Sequence, residues 1–270
     1  MNATLHHVDR GSGAPALVFI HGFTCDASDW SAQLQDLARE FRCIAVDLPG
    51  HGASAAPTEA SIHALSAAVN ATLDALGLDD VVLTGHSMGC RIVSETYRQS
   101  PRRVRGVVYV DGSIVAAAEP DAAVQAAREM LARMTVGGFI ARLYEDFHVA
   151  STPQAVRDAV NAHLPAIDFA FAQRLWFDLV RWDATHARAR LAALAVPALV
   201  IQSTYLDASM QRASLPPGAS SPWTDAVMRT TKDAQLSVIP GVGHFPQLEA
   251  PAQTNTLIRE FVRRLPNPAA

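Results

Sequence analysis

The segment Gly85-His86-Ser87-Met88-Gly89 lies between two stretches of different periodicity, and that context decides the fold. Residues 80–84 form a short β-branched run that reads as a buried strand, and 88–99 follow with helical spacing. A serine placed between strand and helix must occupy a very tight turn in a strained backbone conformation. Glycines two positions to either side let the neighbouring elements approach without side-chain collision. The turn lifts the Ser87 hydroxyl to the carboxyl edge of a sheet, where the following helix points its positive end. A serine that merely caps a helix start is the plainer alternative. The strand before and the helix after favour a nucleophile.

Working outward, short apolar runs alternate with longer helical patterns, which predicts an α/β fold with a mostly parallel central sheet flanked by helices. Ala16–Ile20 is continuously apolar, as a strand buried on both faces should be. Residues 28–40 carry Trp30, Leu34 and Leu37 at helical spacing, and Cys43–Val46 reads as the next strand. Ser61 is placed to cap a helix through Leu76, with Gly77 to end it. Val104–Val110 is a further strand. Between 112 and 194 no buried-strand pattern occurs, only alanine-rich helical stretches carrying aromatic residues. Strands resume at 198–202 and 236–239, and a helix over 249–265 closes the chain. The predicted organisation is a core of residues 1–111 and 195–270 with a helical cap, 112–194, inserted after the strand ending at Val110.

The chain has 270 residues, 49% hydrophobic and 18% charged, with a formal net charge of -4. That length can bury a core large enough to fold without disulfides or a structural metal. The basic residues are scattered, so no nucleic-acid surface is expected. Cys25, Cys43 and Cys90 are odd in number and widely spaced, which favours reduced thiols. With no leader-like N-terminus and no apolar run long enough for a bilayer, the expected location is cytoplasmic and off the membrane.

Four motifs in order resemble those of the α/β-hydrolase family, and the resemblance covers nearly the whole chain. They are His21-Gly22-Phe23, Asp47-Leu48-Pro49-Gly50-His51-Gly52-Ala53-Ser54, the elbow around Ser87, and Gly241-Val242-Gly243-His244-Phe245 followed by Glu249-Ala250-Pro251. The resemblance implies Ser87 as nucleophile, His244 as general base, and the backbone amides of Phe23 and Met88 as oxyanion donors. It also implies a pocket under the cap, for which His21, Gly22, Phe139 and Leu143 are the candidate lining residues. His86 is expected to pack rather than react. The N-terminus departs from the family in leaving room for little sheet ahead of Ala16.

The acid that should orient His244 stays open between two positions. The family's usual slot follows the strand after the insertion, here Gln202-Ser203-Thr204-Tyr205-Leu206-Asp207, and Asp207 falls one residue late. Asp111, at the end of the strand before the insertion, is where some members, including haloalkane dehalogenases, place theirs. A turn-capping role for Asp111 is the plainer alternative. Asp183 is expected to cap a helix where the insertion rejoins the core.

The expected reaction is hydrolysis of a carboxylic ester with a small to medium, largely apolar acyl or aryl group, without cofactor or metal. A serine elbow departs from haloalkane dehalogenases and epoxide hydrolases, which use aspartate there. Carbon–carbon bond hydrolases, lactonases, thioesterases and perhydrolases share the serine machinery and remain alternatives, as does a non-catalytic ligand receptor. No arginine cluster stands out, which favours a neutral ester. The expected partner is a small-molecule substrate, and a homodimer is left open.

Overall fold

The computed structural model describes residues 4–114, 119–206 and 211–266. A seven-stranded sheet runs through it, built from β1 (His7–Arg10), β2 (Ala16–Ile20), β3 (Cys43–Val46), β4 (Val81–His86), β5 (Val104–Val110), β6 (Ala198–Gln202) and, numbered last, β9 (Ala234–Val238). Their order is β1-β3-β2-β4-β5-β6-β9, parallel throughout except for β1. A separate antiparallel hairpin, β7 (Thr204–Leu206) and β8 (Arg212–Ser214), leaves the sheet just after β6.

The continuous apolar runs have a simple cause, because both faces of the sheet are covered. On one side Leu17, Phe19, Cys43 and Ala45 pack with Leu34 and Leu37 of α1 (Ser31–Leu37) and Ile258 and Phe261 of α11 (Pro251–Arg264). On the other, Val18, Ile20, Ile44 and Val46 meet Leu65 and Val69 of α2 (Ile62–Ala75) and Ile92 and Val93 of α3 (Met88–Gln99). Ser61 does cap α2, accepting from the Ala64 amide at 3.0 Å, and Gly77 ends it at φ +64°.

Five helices lie between β5 and β6: α4 (Pro120–Arg133), α5 (Val136–Asp146), α6 (Gln154–Asn161), α7 (Phe169–Thr185) and α8 (Ala187–Ala192). After the hairpin come α9 (Pro222–Thr230) and, beyond β9, the short α10 (Pro246–Glu249). No helix among the described residues is long and apolar enough to cross a membrane.

Several local expectations need correction. The helix predicted over 28–40 begins as a 3-10 turn, Ala27–Trp30, capped by Asp26, and α1 stops at Leu37. Strand β1 adds sheet ahead of Ala16; its sequence His-Val-Asp-Arg has no apolar run because it is a half-exposed edge. Strand β9 starts two residues before the predicted 236–239, with every residue partly exposed at the other edge. Asp183 does not stand at a helix start. It lies inside α7, buried in an ion pair with Arg91 of α3 at 2.6 Å.

Candidate active site

The strand-to-helix turn at Ser87 has φ +54°, in the left-handed region that costs a residue with a side chain about 1–3 kcal/mol. Both flanking glycines are required by contact. A Cβ at Gly85 would lie 2.3 Å from the Gly89 carbonyl oxygen, and one at Gly89 would lie 2.4 Å from that of Ile20. Among the described residues, the other side-chain-bearing positions at positive φ are Thr24 (+61°) and Asp111 (+43°). All three follow the carboxyl ends of strands of the sheet. Strain is confined to the place where strands β2, β4 and β5 hand over to loops.

The elbow and the end of β5 are joined through the backbone, since the Ser87 amide donates to the Val110 carbonyl at 3.0 Å. This brings Asp111 under the loop that carries His244. His244 Nδ1 lies 2.6 Å from Asp111 Oδ2, and its Nε2 lies 2.9 Å from Ser87 Oγ. A carboxylate only accepts, so Nδ1 carries the proton and Nε2 is left to accept from the serine hydroxyl. Burial pushes the His244 imidazole well below its ordinary value, and the Arg212 charge pushes the same way. The ring is therefore neutral at pH 7, the form that can take a proton.

Asp111 is fully buried, and burial raises its carboxyl above the ordinary value while Arg212 and the donors of Thr204 and Ser203 pull it back. Oδ1 accepts from the Ser203 and Thr204 amides at 2.8 and 2.7 Å. Oδ2 is shared by His244, the Thr204 hydroxyl and Arg212 Nη1, the last at 3.3 Å. Asp111 is thus held by residues just past β6, the stretch where the other candidate acid was expected. The competing candidate, Asp207, lies outside the described residues.

Phe23, the third residue past β2, and Met88, the first residue of α3, line the same cavity as Ser87. Their amides donate to no acceptor among the described residues. The loop carrying Phe23 is held from two sides. His21 Nε2 accepts from the Leu48 amide at 3.0 Å, so its Nδ1–H donates to the Gly22 carbonyl at 2.8 Å. From α5, the Tyr144 hydroxyl reaches Thr24 O and Oγ1 at 3.1 and 3.2 Å.

Ser87 opens into a cavity of about 290 Å³ between the carboxyl edge of the sheet and helices α4, α5 and α7. Phe139, Leu143, Trp176 and Leu179 give it an apolar wall with Phe23 and Met88. Phe23 and Phe139 both stack against Trp176, at 5.8 and 4.8 Å. His21 and Gly22, expected at the pocket, are not on this wall; they lie buried behind it, and a Cβ on Gly22 would press on His86 and Ser87. The wall also contains Arg91, Arg142 and Arg212, which sequence inspection did not group. Each faces its own aspartate: Asp183, Asp146 and Asp111. Residues 91, 142 and 212 come from three unrelated elements, so no local spacing betrays them. Among the described residues no three histidine, cysteine, aspartate or glutamate side chains converge as metal ligands.

Residues 17–257 match the alpha/beta hydrolase family. The dihydrolipoyllysine-residue acetyltransferase component of the acetoin cleaving system of Pseudomonas putida is 28% identical over 256 residues, covering 94% of this chain and 65% of that protein. The chain thus spans less than two thirds of the length of the curated relatives it first matches. Among solved structures, a thermophilic esterase from Thermogutta terrifontis superposes with a TM-score of 0.76 at 28% identity, over 96% of this chain and 93% of that one. Est816, described as an N-acyl homoserine lactone degrading enzyme, gives 0.77 at 24% identity, over 95% and 96%. At that identity the second likeness speaks to fold alone.

Proposed function

This chain belongs to the alpha/beta hydrolase family, and on that premise we propose that it hydrolyses a carboxylic ester through an acyl-enzyme on Ser87. One observation carries the reading: an unbroken hydrogen-bonded relay, Ser87 Oγ to His244 Nε2 at 2.9 Å and His244 Nδ1 to Asp111 Oδ2 at 2.6 Å. It ends at the wall of an apolar cavity. A serine hydroxyl is a weak nucleophile until a base stands within hydrogen-bond reach, and the buried neutral His244 is that base.

In the proposed cycle Ser87 Oγ attacks the ester carbon as its proton moves to His244 Nε2. Asp111 holds the resulting imidazolium through Nδ1. The carbonyl oxygen, now anionic, accepts from the Phe23 and Met88 amides, with the N-terminus of α3 behind the second. Collapse expels the alcohol, protonated by Nε2. Water then gives a proton to Nε2 and attacks the acyl-enzyme, releasing the acid and restoring the serine.

A cavity of about 290 Å³ is at the small end for ligand sites and suits a short acyl or an aryl group. Because the wall's arginines face aspartates, its charges are balanced, which is consistent with a neutral ester. Cytoplasmic location and action on a free small molecule remain part of this proposal.

The test is hydrolysis of p-nitrophenyl esters of rising acyl length, with Ser87→Ala alongside. The expected result is turnover that falls as the chain outgrows the cavity and disappears in the variant. Folded protein that turns over none of the esters would overturn ester hydrolysis and favour carbon–carbon bond cleavage by the same relay, or ligand binding without turnover.

A further inference from the structure

The hairpin of β7 and β8 brings a cation to the acid of the relay. Arg212, the first residue of β8, has a side chain only 5% exposed, and its Nη1 donates to Thr204 Oγ1 at 2.7 Å and to Asp111 Oδ2 at 3.3 Å. The Thr204 hydroxyl in turn donates to the same Oδ2. The guanidinium also lines the cavity that Ser87 faces. Its Nε is buried without a hydrogen-bond partner among the described residues. A buried charge left partly unpartnered is expensive, and a well-packed apolar side chain would commonly be no less stable in its place. The placement costs stability and yields a fixed positive charge beside the relay.

That charge acts on two groups at once. Asp111 accepts hydrogen bonds at both oxygens, but burial opposes its ionisation, and Arg212 is the nearest full positive charge that favours it. A protonated Asp111 would lose the acceptor that fixes the Nδ1–H tautomer of His244. The same cation opposes protonation of His244 at rest. Other charged or titratable groups around these residues are His86, stacked on His244 at 4.6 Å, and His148 and Arg91, which act on His244. The Asp146 carboxylate of α5, paired with Arg142, also acts on Arg212, and the Glu249 carboxylate accepts from the Gly243 amide. Arg91 is held by Asp183 in a two-pronged pair, and His86 stays neutral. Arg212 is therefore the cation joined directly to the acid.

We propose that Arg212 is a positioning residue that keeps Asp111 an ionised acceptor for His244 and so sets the acid limit of catalysis. The proposal rests on the Ser87–His244–Asp111 reading above. Under it, replacing the cation lets Asp111 and His244 protonate at higher pH, and the acid limb of the rate profile moves towards alkali.

The experiment follows the rate of Ser87 phosphonylation by a fluorophosphonate across pH, in wild type, Arg212→Gln and Arg212→Lys. This readout needs no knowledge of the natural substrate. The expected result is an acid limb shifted up by about one pH unit in Arg212→Gln, with Arg212→Lys closer to wild type because it keeps the charge. A limb at the wild-type pH in both variants, whatever happens to the plateau, would mean Arg212 only packs the hairpin and would overturn the proposal. Wild type inert to the probe would instead sink the serine-hydrolase reading, and this proposal with it.

Discussion

His86 donates from Nε2 to the carbonyl oxygen of His244 at 2.7 Å, so the residue before Ser87 holds the backbone of the residue hydrogen-bonded to the Ser87 hydroxyl. The acceptor is a carbonyl, which assigns the proton of His86 to Nε2. The two rings also stack, with centroids 4.6 Å apart. The spacing between the Ser87 turn and the His244 loop is thus fixed by a buried side chain outside the Ser87–His244–Asp111 hydrogen bonds.

Replacing His86 with Ala should release the His244 loop and lower kcat on the order of tenfold to a hundredfold, because small displacements of a base are costly. Burial pushes the His86 imidazole down to about 3, so its Nε2–H persists across the working pH range. The deficit should therefore be uniform from pH 5 to 9. Steady-state rates over that range check it, and a defect confined to one end would contradict the tether.

Asp111→Asn should reduce kcat by roughly 10⁴-fold, since an amide can offer its N–H to Nδ1 and stabilise the wrong tautomer. Asp207→Asn should leave turnover nearly intact. Parallel kinetics of the two variants decide between the acids. Near-full activity of the Asp111 variant would remove it from the relay.

Arg91 Nε and Nη2 donate to both oxygens of Asp183, at 2.8 and 2.6 Å, and Nη2 also reaches the Ser113 carbonyl at 2.8 Å. This pair bolts α7 to α3. Asp183→Leu alone should destabilise by about 3–5 kcal/mol, because it strands a buried guanidinium. Arg91→Met with Asp183→Leu should recover most of that loss. Urea denaturation of wild type and the two variants measures it, and equal losses in single and double variants would refute the argument.

His163, in the turn after α6, stands between Asp29 at 2.9 Å and Asp26 at 3.2 Å, on the core beside Cys25 and Thr24. Burial opposes its charge, but the two carboxylates outweigh this and push it up to about 10 from the ordinary 6.5. A folded value above the unfolded one gives stability that is complete below pH 6.5 and is lost as pH rises towards 10. Wild type should therefore melt above His163→Gln by a few degrees at pH 6, on the order of 3 °C. The gap should close by about pH 10. Melting curves across pH test this, and a gap that widens with pH would reverse the sign and refute the clamp.

Strand and helix limits around Ser87 were legible because they depend on contacts between near neighbours. The run from Val81 to Gln99 needs only its own alternation and its two glycines, and the structure supplies the clash that makes Gly85 and Gly89 necessary. The weak edge strand β1 and the β7–β8 hairpin were not legible. Neither buries a continuous apolar face, so neither leaves a periodic mark.

His21-Gly22-Phe23, the elbow and the His244 loop could be named in order along the chain, as could the two candidate acids, Asp111 and Asp207. What tertiary structure decided is everything that depends on distance between remote residues. Asp111 meets His244 across 133 positions, and Arg212 reaches Asp111 across 101. Asp183, read along the chain as a cap, becomes the partner of Arg91 across 92. Local periodicity encodes which face of an element is apolar. Which buried charge meets which is settled only when parallel strands bring their carboxyl ends side by side, and a charge left unmet there would be too costly to keep.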